Sequence, residues 1–370
     1  MKKLFVVFII ILFSTCGIFA QNPQKPDDSD LSWRYMLEAQ IDYEYGRYGN
    51  AVKNADIAKQ KRKNEIDWVL FAMNQALKSP EVQRAGDNIE EITKLLKKRN
   101  SENALIILDS FYSKYSKEYF SNSMSKFLET ARKYYAYPEA DYMLGNLYIL
   151  EGEYVQAEKY LDAAWENSEI LDIPNQKYDI LYKMSYLANL QKDYDKYEKT
   201  LQLIIADDGY ITTTGTDGSL LRAVKQSMER KEMTIDKLFM LYRSHSYDSL
   251  EAYYKLADFY LERNEKEKAV KMATIANLTA FTRLYDAVKE RDMDYKYTDF
   301  LSYLEKIGKY YDISEWGSKN GIWKGYFKYS QLLIECGKEE MGKELLSALS
   351  QYCPEDYWRS MAFRELLSKI

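Results

Sequence analysis

Apolar residues in this chain recur at intervals of three and four, in short runs separated by polar turns. "ADYMLGNLYILEGEYVQAEKYLDAAW" (140–165) has the clearest pattern. Leu144, Leu147 and Tyr148 share one helical face, Glu151-Gly152-Glu153 interrupts it, and Tyr154, Ala157, Leu161 and Ala164 resume it. That spacing predicts two short helices with a glycine between them. No two-residue alternation bounded by turn signals persists anywhere, and only six prolines and fifteen glycines break the chain, so the fold class is all-α.

The same frame returns. "AYYKLADFYLERNEKEKAVKMATIA" (252–276) carries it through Ala257, Tyr260, Ala269 and Ala276. "LYKMSYLANLQKDYDKYEKTLQLI" (181–204) carries it through Ser185, Tyr194 and Leu201. "YFKYSQLLIECGKEEMGKELLSAL" (326–349) does so through Ser330, Gly337 and Gly342. "YMLEAQIDYEYGRYGNAVKNADIA" (35–58) does so through Ala39, Gly46 and Ala51. In each, a small residue is followed twelve positions later by another, except that Tyr197 takes the second place after Ser185. Antiparallel helices approach closely only where side chains are small at the crossing, with large residues filling the grooves on either side.

On these residues the chain resembles the tetratricopeptide repeat (TPR) proteins, and is most similar to them over 138–169 and 250–281. The resemblance implies a helical-hairpin solenoid wound as a right-handed superhelix. The first small residues lie at 39, 145, 185, 257 and 330, and most of the gaps are near multiples of the repeat length. About nine to ten helix pairs are therefore expected, some divergent. Helical patterns are visible in the gaps at 103–115, 125–135, 235–243 and 300–311.

In that family the first helix of each hairpin lines a groove that selects a partner. The slot three before the small residue holds Met36, Tyr142, Tyr182, Tyr254 and Phe327. The slot just after it holds Gln40, Asn146, Tyr186, Asp258 and Gln331. These ten residues form the candidate partner-binding row, although the same tyrosines could pack against neighbouring hairpins. The lysines with which some family members grip a peptide carboxylate are replaced here by aromatics or Met, so that clamp is not expected.

One break stands out. "DDGYITTTGTDGSLL" (207–221) cannot continue a helix, and a new helix is expected near Ser219. The expected organisation is a signal peptide (1–20), a polar leader (21–30), and helical repeat regions at 31–207 and 218–370.

At the N-terminus Lys2 and Lys3 precede an apolar run, Leu4 to Phe13, too short for a comfortable membrane span. Ala20 follows, ahead of "QNPQKPDDSD". Cleavage after Ala20 is the simplest expectation and implies export to the periplasm or beyond. A retained hydrophobic helix is one alternative. A lipoprotein anchored through Cys16 is another, with Thr15 an unfavourable neighbour for it. Removing this segment takes two lysines and moves the formal charge from −5 to −7, which argues against nucleic-acid binding. The basic runs at 59–63 and 97–99 lie where helical patterns are expected to end, and read as solvated faces. Cys336 and Cys353 should stand at the ends of successive helices, about 15 Å apart and too far for a disulfide.

Candidate chemistry is sparse. His245, in a polar turn, is the single histidine, and neither an HExxH nor a CxxC spacing occurs, so no metal or cofactor site is expected. "TGTDGS" has neither the lysine nor the preceding strand of a phosphate loop. A glycoside-hydrolase pair needs only two acids, but no pair is marked. The expected function is a non-enzymatic scaffold that binds a protein or peptide in the bacterial cell envelope. The alternatives are a lipid-anchored form of the same module and an all-helical carbohydrate-binding or carbohydrate-active protein.

Overall fold

The computed structural model describes residues 22–211, 217–230 and 232–368. The expected signal segment, its expected cleavage point at Ala20 and the anchor candidate Cys16 lie outside these residues. Among them, nineteen α-helices form and no strand does. The first unit, up to Pro174, holds α1 (Ser32–Glu44), α2 (Tyr48–Leu77), α3 (Pro80–Arg84), α4 (Ile89–Lys98), α5 (Glu102–Lys114), α6 (Met124–Lys133), α7 (Pro138–Glu151) and α8 (Tyr154–Glu166). The second, from Asn175, begins with α9 (Gln176–Gln191), α10 (Tyr194–Ile205), α11 (Ser219–Met228), α12 (Ile235–Leu241) and α13 (Leu250–Glu262). It continues with α14 (Lys266–Arg291), α15 (Phe300–Gly308), α16 (Tyr311–Lys319), α17 (Ile322–Glu335), α18 (Glu339–Tyr352) and α19 (Asp356–Ser368). The break at 207–221 falls inside the second unit. Ile211 and Asp217 pair across its base, and α11 starts at Ser219.

Five helix pairs of full length stand at the five copies: α1/α2, α7/α8, α9/α10, α13/α14 and α17/α18. Each reverses through a residue of positive φ seven positions after the first small residue, namely Gly46, Gly152, Lys192, Asn264 and Gly337 (φ between 59° and 78°). The next N–H then donates to the carbonyl five residues back. These bonds are Arg47 to Asp42, Glu153 to Tyr148, Asp193 to Ala188, Glu265 to Tyr260 and Lys338 to Leu333, all at 2.8–2.9 Å. This is the Schellman closure, which satisfies carbonyls that a helix end would leave bare. One turn is thus built five times.

The small residues do what their spacing predicts. Ala39, Ala51, Ala157 and Ala269 are fully buried at the crossings. A Cβ on Gly145 would lie 2.7 Å from the Leu161 side chain. At the Tyr197 exception the ring turns toward Phe259 of α13, with centroids 5.3 Å apart.

Within each unit the second helix of one pair packs on the first helix of the next: α2 on α7, α10 on α13, α14 on α17. Two of these second helices are overlong. α2 has 30 residues and α14 has 26. The near half of each carries the next full pair directly, and the far half carries the intervening short helices. On α2, Met73 joins Ile89, Leu96, Leu108, Phe120 and Phe127 in one apolar cluster. On α14, Phe281 stacks on Phe239 of α12 at 4.6 Å and meets Tyr303 of α15 at 4.7 Å. Tyr303, Tyr326 and Tyr329 are fully buried here, so three of the chain's 35 tyrosines serve in this cluster.

The nine to ten equivalent pairs expected from spacing therefore resolve into five full pairs and three shorter ones, α4/α5, α11/α12 and α15/α16. The overhangs explain why: the following pair docks without help from the residues between. The basic run at 59–63 also needs correction, because it lies in the middle of α2, not at a helix end. Lys59 pairs with Asp141 at 2.6 Å, Lys61 pairs with Asp30, and the Arg62 guanidinium lies 3.9 Å from the centroid of the Tyr137 ring. These cations tie elements together. The run at 97–99 does close a helix, α4.

Candidate functional site

The slot three before the small residue points forward to the next helix in four of the five copies. Met36 packs with Ala58, Tyr137 and Ala140. The Tyr182 hydroxyl donates to the Asp248 carbonyl at 2.8 Å and accepts from Ala252 N–H at 3.1 Å, which fastens α9 to the start of α13. The Tyr254 ring fits against Gly325 of α17, where a Cβ would lie 2.4 Å from it. Phe327 meets Trp358 of α19 at 5.5 Å. Tyr142 is half-buried. Four of the five candidates in this row thus act in packing between hairpins.

The slot just after the small residue is different. Gln40 is exposed and reaches only Glu44 of its own helix, and Tyr186 is exposed beside Lys183. Gln331 is half-buried, and Asp258 pairs with Lys328 of α17 at 2.6 Å. Asn146 is half-buried, and its Oδ1 is buried with no hydrogen-bond partner among the described residues. A buried acceptor left unmade costs about 1–3 kcal/mol, a cost that Asn146 alone carries among the five residues of this row.

In the second unit these elements enclose a cleft of about 190 Å³ between α13, α14 and α17. Tyr254 and Asp258 line it on one side, Lys324, Gly325 and Lys328 on the other. Its buried polar groups are satisfied from within. Asn277 Nδ2 donates to the Ala273 carbonyl at 2.6 Å and its Oδ1 accepts from the Tyr254 hydroxyl at 3.3 Å; Thr274 donates to the Tyr329 hydroxyl at 3.1 Å. Burial pushes both phenols far above the ordinary tyrosine range, so they stay neutral hydrogen-bonding groups. At the mouth Glu251 holds Lys255 at 2.8 Å, and Lys324 has no ion-pair partner among the described residues. A pocket for a drug-sized ligand or cofactor usually measures about 300–1,000 Å³. This cleft has room for a single side chain.

Chemistry elsewhere is also taken up by structure. The exposed His245 ring lies 3.8 Å from Asp286 and beside Tyr247, and it does not line the cleft. Glu344 and Asp236 form a close carboxylate pair, but Glu344 accepts from Ile235 N–H at 2.7 Å and Asp236 accepts from Phe300 N–H at 2.7 Å. Both are helix caps. No group of three or more His, Cys, Asp or Glu side chains suited to a metal ion occurs among the described residues. Sequence reasoning missed Lys324, Gly325 and Lys328. Gly325 was the available signal, because a glycine inside a helix weakens it unless something approaches closely.

No family model matches the chain. It is similar to an uncharacterized protein of Treponema pallidum (strain Nichols), 25% identical over 370 residues that cover 98% of this chain and 99% of the relative. It is also similar to an uncharacterized protein of Borreliella burgdorferi, 22% identical over 228 residues, covering 57% of this chain and 70% of the relative.

Proposed function

We propose that this chain is a helical-repeat scaffold of the tetratricopeptide type, exported to the cell envelope, that binds a protein or peptide and catalyses no reaction. The observation that carries the proposal is the turn built five times at one register, each with a small-residue crossing before it. Such a register is the device by which repeat proteins present equivalent first-helix positions along one face. The partner-facing residues are those just after the small residue: Gln40, Asn146, Tyr186, Asp258 and Gln331. A polypeptide supplies single side chains for the α13–α17 cleft, whereas a cofactor would not fit there.

The test is site-specific photo-crosslinking in the producing cell. A photoreactive residue at Gln40, Tyr186 or Gln331 should give a discrete protein adduct. The same residue at Val155 or Leu203, exposed on second helices, should not. Equal labelling from both sets, or none from the first, would overturn the proposal.

A further inference from the structure

The outer face of α1 departs from the other four first helices at one register. Six, two and minus two positions before the small residue, α7 carries Glu139, Met143 and Leu147, and α9 carries Asp179, Lys183 and Leu187. α13 carries Glu251, Lys255 and Phe259, and α17 carries Lys324, Lys328 and Leu332. The last of each triplet is buried, and seven of the eight earlier positions are charged. α1 has Trp33, Leu37 and Ile41 instead, and the ridge continues to Tyr45. All four are exposed, at 50%, 50%, 40% and 73%. Stacking on the next hairpin does not need them, since Ala39 and Met36 already make those contacts. Nor does the leader cover them: Lys25 lies by Trp68 of α2.

We infer that this ridge is the contact between two copies of the chain, with α1 packed antiparallel on its own symmetry mate. An isologous contact requires a surface complementary to itself, and α1 meets that requirement about its midpoint at Ala39. Antiparallel pairing sets Trp33 against the partner copy's Tyr45 and Leu37 against the partner copy's Ile41. It also sets Arg34 against the partner copy's Glu44. Residues spaced by four form the ridge that interdigitates in the commonest helix crossing. The two charges are available. Arg34 lies over its own Trp33 ring at 4.6 Å and donates to the Asp28 carbonyl, and Glu44 takes only a 3.4 Å bond from Gln40. A lipid surface fits less well, because α1 carries Glu38, Asp42 and Glu44 against a single arginine. One helix face on each side buries about 1,000 Å², the low end for a specific interface, so the dimer should be reversible at micromolar concentration.

Sedimentation velocity on the chain as its producing cell processes it, from about 1 to 200 µM, tests this. A monomer–dimer equilibrium is expected, with a Kd on the order of 10 µM. Leu37→Glu should leave a monomer throughout, with an unchanged circular dichroism spectrum and melting temperature. Arg34→Glu should weaken association about tenfold or more, and Arg34→Glu combined with Glu44→Arg should recover it to within about threefold. A chain monomeric at 200 µM, a dimer indifferent to Leu37→Glu, or a double variant no better than the single one would overturn the assignment. So would a Trp33 emission shift produced by phosphatidylethanolamine–phosphatidylglycerol vesicles and not by protein concentration.

Discussion

A helix crossing closed by backbone makes a demand that no side-chain rotation can relieve. At Gly342, where α18 meets α17, an added Cβ would lie 2.6 Å from the Ser330 carbonyl oxygen and 2.5 Å from Ile334 Cγ1. Ile334 can change rotamer, but the carbonyl belongs to the helix and cannot. Restoring ordinary contact requires the two helices to part by nearly 1 Å, and overpacking of that kind costs about 1–3 kcal/mol. Alanine returns about 0.5–1 kcal/mol in helix propensity. Gly342→Ala should therefore destabilise the second unit by about 1–2 kcal/mol. Gly49→Ala is the control, because Gly49 is helical, has nothing within 4 Å of the added Cβ, and gains propensity alone. Urea denaturation followed by far-ultraviolet circular dichroism should show a lower midpoint at unchanged slope for the first variant, and an equal or higher midpoint for the second. A Gly342→Ala protein as stable as the parent would mean that the small residues do not govern how the helices meet.

Lys192 holds the left-handed turn position that glycine holds in three other hairpins. Lys192→Gly should raise stability by about 0.5–1 kcal/mol, read as a higher denaturation midpoint. Glu344 caps α12, and Glu344→Ala should cost about 1–2 kcal/mol in the same assay. Desolvation holds the Glu344 carboxyl above its ordinary value, aided by the Asp236 charge, although the Ile235 N–H opposes it. Because the folded state binds this proton more tightly, its contribution is complete below the ordinary glutamate range and is lost as pH rises through the folded value. Glu344→Gln keeps an acceptor without the charge, so it should flatten that part of the stability profile. Cys353 is fully buried with its thiol pushed up to about 12, while Cys336 is half-buried. A maleimide should label Cys336 in the native protein and Cys353 only after denaturation, as peptide mapping would show.

Local physics was readable from the chain. The crossings at Gly145 and Gly342, the start of α11 at Ser219, and helices at 102–114, 124–133, 235–241 and 300–308 all follow from short-range spacing or turn chemistry. The overlong helices were not readable, because nothing in α2 marks Lys59 to Lys63 as mid-helix: a basic cluster suits a helix end equally well. Only the distant partners Asp30, Tyr137 and Asp141 decide the matter. The candidate groove was half legible for a similar reason. A tyrosine three places before the small residue looks the same whether it faces solvent or the next helix, and the choice is made by Gly325 or the start of α13, some 70 residues away in the chain. Asn146 gave no sign in sequence that its oxygen would be left unpaired.

Hairpins that touch only their neighbours give way one after another from a loose end. The uninterrupted hydrogen-bonded rods Tyr48–Leu77 and Lys266–Arg291 change that behaviour. Each is rooted in a hairpin at one end and in a separate apolar cluster at the other. Unfolding that reaches the rod within its own unit must snap it at its middle or take both anchorages together. Stretched between its ends, this protein should yield in a few large steps, with long rests between them.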